Sequence, residues 1–112
     1  MVRGSQPGEF EQVVLLSLAS MKSEAAGGDV YERLVKTTGR EVSMAAVYIT
    51  LSRMEGKGWV VARSEAPPQG EGGKPRRYFS LTPMGAQTLR TLRTQYDRLW
   101  EGARAHPELG RE

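Results

Sequence analysis

The cations Lys74, Arg76 and Arg77 crowd into the segment G-G-K-P-R-R-Y-F-S-L-T, a short way downstream of S-M-A-A-V-Y-I-T-L-S-R-M-E-G-K-G-W, which runs from Ser43 to Trp59. Ammonium and guanidinium groups set this close make a local positive field suited to phosphate oxygens. Residues 57–78 hold five basic side chains against Glu65 and Glu71, whereas the first 56 residues hold six basic and seven acidic ones. The net charge of +3 is therefore concentrated rather than spread. A solvated charged loop is the plain alternative, but nothing catalytic lies between the two segments. There is no cysteine, and His106 is the only histidine, with no base or metal partner in sight. Gly72-Gly73-Lys74 does not make a phosphate loop, because Pro68 and Pro75 stand where the first glycine and the Ser/Thr are required. No metal-ligand cluster and no cofactor motif is present. The chemistry expected is binding of a polyanion, duplex DNA above all, and an enzyme is the least supported class.

These groups need elements to hold them. Val47, Leu51 and Met54 recur at helical spacing, Ser43 suits an N-cap, and Gly58 supplies the left-handed residue that ends many helices. Trp59–Glu65 and Arg76–Leu81 alternate and are rich in Val and aromatics, so they read as antiparallel strands around the loop A-P-P-Q-G-E-G-G-K-P, a wing with a long tip. Upstream, Phe10, Val13, Val14, Leu18 and Met21 mark a first helix, with Leu15 and Leu16 widening its apolar stripe. Gly27-Gly28 is expected to break that helix, and Val30, Tyr31, Leu34 and Val35 to mark a second that stops near Gly39. Thr82-Pro83 opens the last helix, proline being favoured at the first helical position. Along it Leu89, Leu92, Tyr96, Leu99 and Ala103 fall at alternating spacings of three and four, a coiled-coil seam. About 22 residues at ~1.5 Å each make a rod of roughly 33 Å, long for the small body it leaves.

The fold class expected is mainly α with a small β-hairpin: a winged helix-turn-helix domain over residues 8–82 and a dimerisation helix over 83–105, with flexible tails at 1–7 and 106–112. A chain of 112 residues with 38% hydrophobic content buries a modest core and gains from a partner. Phe10, Val14, Leu89, Leu92, Tyr96, Leu99 and Ala103 are the candidate contacts with a second copy. The longest apolar run, Val13–Leu16, is far below the ~20 residues that span a bilayer, and no charged-then-apolar leader opens the sequence, so no membrane partner and a cytoplasmic location are expected.

The candidate DNA contacts are Ser43, Met44, Ala45, Tyr48, Ser52, Arg53, Lys57, Lys74, Arg76 and Arg77. Tyr48 follows the buried Val47, so its ring would pack on the helix while its hydroxyl donates to a phosphate; a half-buried core tyrosine is the competing reading. Met44, Ala45 and Ser52 offer little bidentate readout, which shifts specificity toward thymine methyl groups and DNA shape. Arg53 admits a phosphate or a carboxylate, Glu55 or Glu32, and Lys57 reads as a phosphate contact. Arg76 and Arg77 alternate faces in a strand, so one of them at a time points at the duplex. Trp59 reads as a core cap. Tyr96 and Trp100, one helical turn apart, pack at the subunit contact or flank a ligand.

Taken together, F-E-Q-V-V-L-L-S-L, Val47-Tyr48 inside the third helix, R-M-E-G-K-G and G-G-K-P-R-R-Y-F-S-L-T with Gly85 beyond it resemble the PadR family of winged helix-turn-helix transcriptional regulators, its short branch with a single C-terminal helix. The likeness covers residues 8–105. The chain departs from the family's pattern where Gly27-Gly28-Asp29 replaces a frequent Tyr-Gly pair and where Pro75 interrupts the basic run. The resemblance implies a homodimeric repressor on a roughly palindromic operator, released by a small aromatic effector held near Tyr96 and Trp100. A winged-helix protein–protein module without specific DNA binding is the alternative on the same fold.

Overall fold

The computed structural model describes residues 6–67 and 72–110. Its elements in chain order are α1 (Glu9–Ala19), β1 (Ala25–Ala26), α2 (Gly27–Thr38), α3 (Met44–Gly56), β2 (Val60–Glu65), β3 (Arg76–Leu81), α4 (Pro83–Ala103) and α5 (Pro107–Gly110). The expected architecture holds: mainly helical, with a helix-turn-helix from α2 to α3 and a wing from β2 and β3. Part of the expected wing tip, residues 68–71, and part of the tails, residues 1–5 and 111–112, lie outside the described residues.

Local signals place the ends of α3, α2 and α4. The Ser43 hydroxyl accepts the Ala46 amide at 3.0 Å and starts α3. Gly39 and Gly58 both take left-handed φ angles, +73° and +84°, which end α2 and turn the chain out of α3 toward the wing. The Thr82 hydroxyl accepts the Gly85 amide and donates to the Gly58 carbonyl, so one side chain caps α4 and ties it to that turn.

A closed core lies among the elements. Val14, Leu15 and Leu18 of α1 meet Val30 and Leu34 of α2, Val47, Leu51 and Met54 of α3, and Trp59, Val60 and Phe79 of the sheet. Phe79 belongs to the central strand. β3 pairs with β2 from Val60↔Leu81 to Glu65↔Arg76, and on its other edge with β1 through Ala25↔Phe79 and Ala26↔Tyr78. The third strand was not expected, because two alanines carry no alternation to read.

Gly27-Gly28 does not break the first helix. That helix ends at Ala19, and Gly27 opens α2 instead. Gly27 is where α2 meets α3: a Cβ there would stand 2.5 Å from Cε2 of Tyr48.

The face of α1 turned inward also differs. It is Glu11, Val14, Leu15 and Leu18, so Val14, expected at a partner contact, is wholly inside the protomer. Leu16, on the opposite side, is 57% exposed. Phe10, Leu89 and Leu92 likewise pack on the protomer's own core, Leu92 buried and the other two partly so. At the ends, Pro7 is buried and Gln6 bonds Gln95, while Pro107–Gly110 forms a short helix whose Glu108 amide donates to His106 Nδ1.

Candidate nucleic-acid interface

α3 buries Val47, Thr50, Leu51 and Met54. That stripe leaves Met44, Ala45, Ile49, Ser52 and Arg53 exposed along one open side. Ile49 is 57% exposed at the middle of that side, although it was not among the expected contacts. The signal for it was available: it lies four residues after Ala45 and three before Ser52, hence on their face.

Tyr48 is half-buried. Its ring meets Phe79 edge-on with centroids 5.8 Å apart and lies against Gly27. The ring therefore belongs to the core's edge, and its position is fixed from two sides.

The two adjacent arginines of β3 have separate surroundings. Arg77 shares the face of Phe79 and reaches α3: its guanidinium donates to Glu55 Oε1 at 2.7 Å and to the Ser52 hydroxyl at 3.5 Å, and it lies 5.1 Å from the Phe79 ring centroid. Glu55, one of the two carboxylates suggested for Arg53, is thus taken by Arg77, across the helix–wing junction. Arg76 alternates to the other face and is exposed. Among the described residues, Arg53, Lys74 and Arg76 form no ion pair.

Lys57 differs from its expected role as a simple phosphate contact. Its ammonium bonds Glu11 Oε2 at 2.9 Å and sits 5.1 Å from the Trp59 ring centroid, so it closes the end of α3 onto α1. Burial pushes the Glu11 carboxyl up, but the Gly8 amide, the Lys57 ammonium and the more distant Arg53 charge outweigh it and hold it below the ordinary value. A depressed folded value means that this carboxylate adds stability above the pH where an unfolded glutamate ionises. The contribution is lost as pH falls through the depressed value. On the outer face of the wing Arg63 grips both oxygens of Glu24 and lies over the Tyr78 ring at 4.8 Å, a brace between β2 and the segment ahead of β1.

The second candidate region lies between α1 and α4. Gln12, Leu16, Leu89, Leu92 and Tyr96 line an open, mostly apolar groove of about 530 Å³. The Tyr96 hydroxyl donates to Gln12 Oε1 at 3.1 Å. Beyond the groove Leu99 and Trp100 are 67% and 54% exposed, and Ala103 is partly covered. Trp59, by contrast, is sealed in the core. No group of three or more metal-ligating side chains occurs among the described residues, and none of their helices is long and apolar enough to cross a membrane.

A helix-turn-helix whose second helix has an open face, followed at once by a basic two-stranded wing, defines a winged helix-turn-helix protein. A family model described as the transcriptional regulator PadR-like family matches residues 15–91, and the chain belongs to that family. No curated protein sequence matches it. Among solved structures it is similar to a PadR family transcriptional regulator from Eggerthella lenta DSM 2243, at 23% identity and TM-score 0.67, over 85% of this chain and 82% of the other. It is also similar to PadR of Bacillus subtilis in complex with operator DNA, at 19% identity and TM-score 0.62, over 74% of this chain and 45% of that one. A third is Bordetella bronchiseptica BpsR, whose DNA binding is regulated by 6-hydroxynicotinic acid, at 14% identity and TM-score 0.66, over 94% of this chain and 70% of the other. At these identities the likeness is one of fold. As a member of a family of transcriptional regulators, the chain is not an enzyme.

Proposed function

We propose that this transcriptional regulator works in the cytoplasm as a homodimeric repressor, with the two α3 helices entering successive major grooves of a roughly palindromic operator and the wings lying along the backbone. Residues 8–82 are the reading unit and residues 83–105 the helix that holds two copies at a fixed spacing. The observation that carries the proposal is the Arg77–Glu55–Ser52 junction. It fixes the wing to α3, while Arg53 on the open side of that helix and Lys74 and Arg76 on the wing form no ion pair among the described residues. Ser43, Met44, Ala45, Tyr48 and Ser52 then face the duplex. The similar Bacillus subtilis PadR, solved in complex with operator DNA, supports duplex DNA as the partner.

The salt dependence of duplex binding tests this reading. Log K should fall steeply with log salt, and Arg76→Ala should reduce the slope by roughly one unit. Arg77→Ala should weaken binding with a smaller change in slope, since its charge is spent on Glu55. An affinity indifferent to salt would remove the wing from the interface.

Release by a small planar aromatic compound is the second part of the proposal, supported by the groove beside Tyr96, the open Trp100 and the ligand-regulated BpsR. Such compounds should quench tryptophan fluorescence, and Trp100→Phe should abolish most of the response, because Trp59 is sealed in the core. Equal quenching in the variant would exclude the site.

A further inference from the structure

We infer that Ile49 is a base-reading residue that takes the C5 methyl group of a thymine in the major groove, an inference that rests on α3 being the helix that enters the duplex. A single exposed isoleucine on an ordinary helix would require no explanation. This one stands at the middle of the open side of α3, where the neighbouring groups are already committed. The Tyr48 ring is held by Gly27 and Phe79, and Glu55 is neutralised by Arg77. What remains for a base edge is Met44, Ala45, Ile49, Ser52 and Arg53; of the two with a large apolar surface, Met44 stands in the first turn with its thioether end toward Gly28, and Ile49 stands at the middle of the face. Among the four bases, thymine alone offers an apolar group in the major groove. The charge on the same side of α3 suits the same occupant: Arg53, one helical turn beyond Ile49, is exposed and forms no ion pair among the described residues, so a phosphate brought to it would set the groove against Ile49. A branched β-carbon adds definition, because Ile keeps nearly one χ1 rotamer in a helix and presents its methyl groups at a fixed place.

The test pairs a methyl deletion on the DNA with one on the protein. Duplex fragments are first selected from genomic DNA with the wild-type protein. Each thymine of a selected fragment is then replaced singly by deoxyuridine, which lacks only the C5 methyl. At one thymine in each half-site the replacement should weaken wild-type binding roughly threefold to tenfold and leave Ile49→Ala unaffected, while Ile49→Val keeps most of the wild-type response. Because Ile49 is exposed, the variants should melt within a few degrees of the wild type, which separates reading from folding. Deoxyuridine costs that are equal in the wild type and Ile49→Ala, or absent throughout, overturn the assignment to Ile49 while α3 remains the reading helix. A wild-type protein that retains no fragment, or whose binding ignores salt, overturns the DNA-reading role itself and Ile49 with it.

Discussion

Leu99→Glu combined with Trp100→Glu is expected to leave the protomer folded, turn a dimer into a monomer and lower operator affinity by about a hundredfold or more. The reason lies in how unevenly α4 is packed. Its first half is anchored to the body through Gly85 and Leu92, with Leu89 lying on the core, whereas residues 93–102 are exposed throughout. Leu99 and Trp100 therefore contribute little to the protomer, and exposed substitutions normally shift stability by no more than about 0.5 kcal/mol. Their loss falls on what covers them. A second copy is the proposed cover, since the apolar seam continues along a helix that leaves the body, in a molecule whose overall extents are 63 × 36 × 21 Å. Two glutamates from each protomer would meet across the twofold axis, unpaired and partly desolvated.

The effect on DNA would be larger than the effect on association alone suggests. Two linked reading helices bind the second half-site at an effective concentration near millimolar, which multiplies affinity by roughly 10²–10⁴ without any new contact. Sedimentation, thermal melting and fluorescence anisotropy on the same variant separate the three quantities. A double variant that still sediments as a dimer would show that α4 is not the seam. Truncation before residue 88 is a poorer test, because it also removes Leu89, which packs on the core, and the buried Leu92.

What was legible in the sequence is what short stretches of chain decide by themselves. Ser43, Gly58 and Thr82-Pro83 act on the residues next to them, and the structure places the boundaries of α3, the wing and α4 where those residues put them. Illegible were the outcomes settled between elements distant in sequence. Glu11 and Lys57 pair over 46 residues, and no local pattern ranks that carboxylate above another. Glu55 was one of two carboxylates considered for Arg53, yet the strand packed beside α3 supplied Arg77. The rotation of α1 is of the same kind. With Val13, Val14, Leu15 and Leu16 consecutive, periodicity marks no unique inward face, and α2, α3 and the sheet chose Val14 and Leu15. The same ambiguity concealed Leu16, which lines the groove between α1 and α4.

Gly85→Ala is expected to destabilise the protein by roughly 2–4 kcal/mol, although helix propensity by itself favours alanine by about 1 kcal/mol at a helical position. The two effects oppose each other, and the surroundings of Gly85 decide between them. A Cβ at this position would overlap the carbonyl oxygen of Trp59 and stand 2.8 Å from Leu81 Cδ1. The Leu81 side chain can swing aside, but this oxygen cannot. It accepts the Thr82 amide at 3.1 Å and the Thr82 hydroxyl at 3.1 Å, so moving it breaks the joint that fixes the start of α4 against the base of the wing. For a domain of this size each kcal/mol corresponds to roughly 4–8 °C, so the melting point should fall by about 10–25 °C. Gly102→Ala on the same helix is the matched control. Its Cβ meets nothing within 4 Å, so propensity acts unopposed and stability should rise by up to about 1 kcal/mol. Thermal denaturation of the two variants should therefore move in opposite directions. A Gly85→Ala protein as stable as the wild type would mean that α4 is not seated on the Trp59 carbonyl, and the geometry that carries α4 out from the body would have to be abandoned with it.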